Sequence, residues 1–215
     1  MQKKQQVDKQ LLTETLAVII ITVSLFLLFN NFNSIIPVIP IIYILVEKRK
    51  RHRSWSDIGF KIKIILSDIK TNWYWITLVG VILPLLTFYI GKYCIPGYID
   101  HVRSRLPMDV KVIIPAIITV TIGTFLEEII FRGFVQGRLE WFITPFKAII
   151  ISSILFAFMH YSPGSIAIVI FDMFGIFIDS ILFGIIFTKT KNIFTSWIGH
   201  YFSDLIGIIC LLFLL

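Results

Sequence analysis

Charge is what this chain has little of: Asp, Glu, Lys and Arg together make up 15% of its 215 residues, while 57% are hydrophobic. Mean hydropathy is +0.87. A soluble domain of this length needs more polar surface, so the composition excludes an ordinary soluble protein. Cysteine is scarce too. Cys94 and Cys210 lie near the ends of different apolar runs, in neither a CxxC nor a CxxH pattern. A disulfide framework and a thiolate metal site therefore have no support. The H-E-x-x-H spacing usual for a zinc protease is missing. So are internal repeats, low-complexity tails and a small-residue cleavage site after the first apolar stretch, which reads as an anchor and not as a removed signal.

Long apolar runs are what the chain does have. Windows of about 20 residues mark seven candidate spans, at roughly 11–29, 33–46, 73–92, 110–130, 148–162, 165–187 and 193–215. The second is short and carries Pro37 and Pro40, which suits a broken or re-entrant segment. The expected fold is all-α: a polytopic transmembrane bundle of about seven (six to eight) helices. Two parts are expected, N-terminal membrane helices over 1–110 and a helical core over 111–215.

The net charge of +7 does not point to nucleic acid, because the basic residues sit in short loops between apolar runs. With the N-terminus in the cytoplasm, 16 of the 20 Lys and Arg fall on the inner side, leaving only Lys92, Arg103, Arg105 and Lys111 outside. That asymmetry predicts a multi-pass protein of the cell membrane with a cytoplasmic N-terminus. The run Lys48-Arg49-Lys50-Arg51-His52-Arg53 reads as an anchor drawn to anionic lipid. Segment 54–72 alternates apolar and basic residues and is expected to lie along the membrane surface.

Chemistry concentrates where charge interrupts the apolar runs. Glu127 and Glu128 end the fourth run, with Arg132 one turn on. A carboxylate at membrane depth costs roughly 2.5–3.5 kcal/mol on insertion scales, so such residues mark function. On a helix Glu128 and Arg132 are i,i+4 and can pair, whereas Glu127 lies about 100° round and is left for other work. A carboxylate in a dry setting suits a general base. Phe156-x-x-x-His160 ends the next run, and His200-x-x-x-Asp204 places a second imidazole and a carboxylate on one helix face. At about 1.5 Å per residue, Glu127 lies roughly 8 Å inside the boundary set by Arg132, His200 about 13 Å past Lys191, and His160 about 20 Å past Lys147. If 133–147 lie along the surface, all of them meet in one layer. Asp172 and Asp179 share a face of the sixth run, with Gly175 between them.

The ordered set Glu127-Glu128-x-x-x-Arg132, Phe156-x-x-x-His160 and His200-x-x-x-Asp204 resembles the CAAX-protease and bacteriocin-processing family, also called Abi, over about 113–210. The resemblance implies an intramembrane endopeptidase, a hydrolase of peptide bonds in membrane-associated peptides or proteins such as CAAX tails or bacteriocin precursors. It implies that Glu127 and His160 activate a water, that His200 and Asp204 stabilise the oxyanion, and that Glu128 and Arg132 shape the site or grip the substrate. Asp204 departs from the prenyl-protein enzymes, which carry asparagine there. Ionised aspartate cannot donate a hydrogen bond, so its role is direct only when protonated and otherwise runs through His200.

Three alternatives stay open. Glu127, His160, His200 and Asp204 form an N/O set compatible with zinc, although the reading favoured is a glutamate-activated water with no cofactor. Intramembrane acids and histidines also build proton-linked transporters. The third is a non-catalytic membrane scaffold or immunity protein. The expected partners are a peptide or protein substrate arriving from the cytoplasmic side or the bilayer, and the lipid itself.

Overall fold

The structure, a computed structural model, describes residues 2–29, 36–105 and 113–214, and its regular elements there are all helical. They are α1 (Gln2–Leu28), α2 (Val38–Lys50), α3 (Ile62–Cys94), α4 (Tyr98–Arg105), α5 (Ile113–Leu139), α6 (Pro145–Met159), α7 (Ile166–Thr190) and α8 (Ile193–Phe213). Five are long and apolar enough to cross a membrane: α1 from Lys9, α3, α5, α7 and α8. α6 is apolar with 15 residues, and α2, which covers part of the short second span, has 13. The result is a multi-pass helical membrane bundle, as the apolar runs predict.

Two boundaries differ from the sequence reading. The segment 54–72 does not lie wholly along the surface. Tight turns occupy Ser56–Ile58 and Ile62–Ile64, and from Ile65 the chain is already part of α3, bent at Asn72 (φ −118°, ψ 16°). α5 does not stop near 130 either. Residues Ile129–Gln136 continue as wide π-helical turns and bury Ile129, Ile130, Phe131, Arg132, Phe134, Val135 and Gln136. Seven buried residues in eight leave no outward face, so the segment belongs inside the bundle rather than on its surface.

Packing inside a bilayer gains nothing from transferring leucine out of water, so close contact must hold the helices together. α3 meets α8 at Gly80, where an added Cβ would lie 3.0 Å from Phe202 Cβ and 3.2 Å from the Gly199 carbonyl oxygen. Ile76 and Val79 of α3 pack there with Leu182, Phe183 and Ile186 of α7. α7 turns into α8 through Lys191 (φ 50°) and Asn192. The buried Asn192 amide accepts from the Phe194 amide N–H at 3.3 Å and donates to Asp68 at 2.8 Å and the Lys61 carbonyl at 3.0 Å. Ile193 N–H donates to the Gly59 carbonyl at 2.8 Å. These bonds tie the strap before α3 beneath the α7–α8 turn. Gly59 there has φ +94°, a left-handed conformation that costs glycine nothing.

Candidate active site

Three helix segments deliver the polar residues. Glu127 and Glu128 stand where α5 widens into π-helical turns, His160 caps the C-terminal end of α6, and His200 lies in α8. Apolar neighbours fix both imidazoles. Phe156 stacks on His160 with ring centroids 4.3 Å apart, and Phe183 stacks on His200 at 4.4 Å.

Glu127 sits between the two histidines. Its Oε1 is 3.6 Å from His160 Nε2 and its Oε2 is 3.5 Å from His200 Nε2. Both exceed a direct hydrogen bond of about 2.7–3.2 Å but are within ion-pair range, so the carboxylate faces both rings. The other ring nitrogens are occupied. His160 Nδ1 lies 2.8 Å from the Phe156 carbonyl oxygen, which only accepts, so Nδ1 carries the proton. His200 Nδ1 is 3.0 Å from Glu128 Oε1. Both Nε2 atoms therefore face Glu127, whose side chain is one-third exposed (33%) while Glu128 is fully buried (0%).

Glu128 works as a brace. Besides His200 it accepts from the Ser196 hydroxyl and pairs with Arg132 at 3.7 Å. Arg132, also fully buried, donates through Nη2 to Ser180 of α7, to the carbonyl at 2.9 Å and the hydroxyl at 3.0 Å. Its guanidinium lies between the Phe156 and Phe183 rings, 5.1 and 5.4 Å from their centroids. Asp204 stands further out: its Oδ1 is 4.0 Å from His200 Nε2. It lines a cavity of about 330 Å³ together with His160, His200, Asp172, Gly175 and Asp179. The shared face read for Asp172 and Asp179 is thus a cavity wall.

Residues 109–206 match the family model described as type II CAAX prenyl endopeptidase, Rce1-like. This part of the chain is similar to the CAAX-protease family. No curated protein and no solved structure matches the chain significantly. Within the matched region the structure brings Glu127, Glu128, Arg132, His160 and His200 together and sets Asp204 at the edge. Among the described residues, no three His, Cys, Asp or Glu side chains gather as ligands of a metal ion. The sequence reading gave no role to Ser180, which holds Arg132, or to Ser196, which holds Glu128. Both partnerships join residues on different helices, and helix spacing carries no signal for them.

Proposed function

We propose that the chain is an intramembrane endopeptidase in which Glu127 activates the hydrolytic water. The observation that supports this reading is the Glu127 carboxylate, with one oxygen toward each histidine Nε2. A water held there gives a proton to Glu127 while its oxygen attacks the scissile carbonyl carbon. The carbonyl oxygen becomes the oxyanion and meets Nε2–H of His200 in its doubly protonated, cationic form, with Glu128 accepting from Nδ1–H on the far side of the ring. Collapse breaks the C–N bond, and the proton held by Glu127 passes through His160 Nε2 to the leaving amine. Low dielectric strengthens each of these contacts.

The substrate in this reading is a membrane-associated peptide or protein, a prenylated CAAX tail being the kind named by the matched family. It arrives from the cytoplasmic side, the side of the basic loops and of the N-terminus in the cell membrane. Residues 111–215 carry the catalysis and 1–110 the additional membrane helices. No metal takes part. Glu127→Gln should leave the protein folded and inserted and cut the rate of peptide cleavage in proteoliposomes by about 10²- to 10⁴-fold. Full processing by that variant would remove the mechanism.

A further inference from the structure

A second cavity of about 330 Å³ lies at the opposite, basic ends of the helices from the α6–α7 turn. Its wall includes Lys61 before α3, Arg138 at the end of α5, Trp141, Pro145 at the start of α6, and Lys191 in the α7–α8 turn. Arg138 is 2% exposed, and its Nε donor has no hydrogen-bond partner among the described residues. A buried guanidinium donor beside a cavity calls for an acceptor inside it.

Charge around the cavity points the same way. Glu47 of α2, itself buried, is shared by Arg53 at 2.8 Å and Arg138, with Arg51 at 3.6 Å but paired more closely with Glu14 at 2.7 Å. Arg53 and Arg138 also lie over the Trp141 ring, 4.5 and 4.2 Å from its centroid. Two carboxylates face the cavity. Glu140 is taken up by Lys191, Thr188 and Gln136. Asp57 accepts from the Ser54 amide N–H at 2.8 Å, and that bond holds its carboxyl below the usual carboxylate range. With Arg51 taken by Glu14, Arg53 and Arg138 still exceed Glu47 by one charge, and with Lys61 they outweigh Asp57.

We propose that this cavity binds a phosphate group, with Arg138 and Lys61 as its cationic walls. A phospholipid headgroup and free phosphate share that chemistry, and basic pockets between membrane helices suit headgroups at this depth. Binding to the full chain in detergent micelles, followed by native mass spectrometry, distinguishes the sources. The probes are phosphatidylglycerol, diacylglycerol with the same acyl chains, and inorganic phosphate. One phosphatidylglycerol should be retained where diacylglycerol is lost, and Lys61→Gln should weaken it about fivefold. Inorganic phosphate binding as tightly, with the same loss in Lys61→Gln, would support the site and make free phosphate its source. Arg138→Gln strips the buried Glu47 of a partner and can unfold the chain, so Lys61→Gln carries the test, with circular dichroism as its control. Equal retention of both lipids, no binding of inorganic phosphate, and no effect of Lys61→Gln would overturn the proposal.

Discussion

At the residue scale, Asp204 separates the two chemistries open to this site. As a zinc ligand it could not be replaced by asparagine without weakening metal binding and activity together. As a neighbour of His200, 4.0 Å from Nε2, it could be replaced freely, because asparagine supplies a donor toward the oxyanion. The glutamate-activated water predicts that Asp204→Asn keeps or raises the cleavage rate and that chelators leave it unchanged. Glu128→Gln should do worse, lowering kcat by about 10²-fold, because Glu128 accepts from His200 Nδ1 at 3.0 Å and fixes which ring nitrogen faces the reaction. Stoichiometric zinc, lost with activity on chelation and restored with it, would reverse both expectations. Much of this cluster was legible in the sequence, since pairs such as Glu128 and Arg132 are set by helix geometry alone. The ring orientation was not. The sequence reading paired His200 with Asp204, one turn away on the same helix, whereas Nδ1–H donates to Glu128, 72 residues earlier.

Among the elements, α5 and α3 show what apolar periodicity reads and what it misses. The spans that became α5, α7 and α8 were visible because runs of that length have few other uses. The continuation of α5 through Ile129–Gln136 was hidden, because Arg132, Gln136 and Arg138 look like a surface segment until their partners are known. Arg132 meets Ser180, Gln136 donates to the Gly184 carbonyl at 2.9 Å, and Arg138 meets Glu47. Wide π-helical turns recur at functional sites, and here they follow directly on the two glutamates. α3 depends on a small residue. At Gly80 a side chain would run into backbone of α8 as well as Phe202, and backbone yields less readily than a flexible side chain. Gly80→Leu should therefore destabilise the bundle by about 1–3 kcal/mol, seen as a lower Tm in detergent. An unchanged Tm would mean that α3 and α8 do not need their close approach.

Across the whole molecule, basic residues that the sequence shows as loop charge are held in ion pairs. Arg51, Arg53 and Arg138 converge on Glu47, and Lys191 pairs with Glu140. Charge counting by loop predicts a side of the membrane and is blind to these pairings. A last consequence follows from the shortness of α6. Its 15 residues rise about 22 Å, less than the roughly 30 Å of a bilayer's hydrocarbon. Beyond it Tyr161–Ser165 is not helical, and such backbone is not tolerated against lipid tails. A bilayer that thins to meet the end of α6 relieves this hydrophobic mismatch and draws headgroups and water toward His160. Turnover in proteoliposomes should then depend on acyl-chain length and fall from 14-carbon to 22-carbon monounsaturated lipids; equal rates in both would show that water reaches His160 without any thinning.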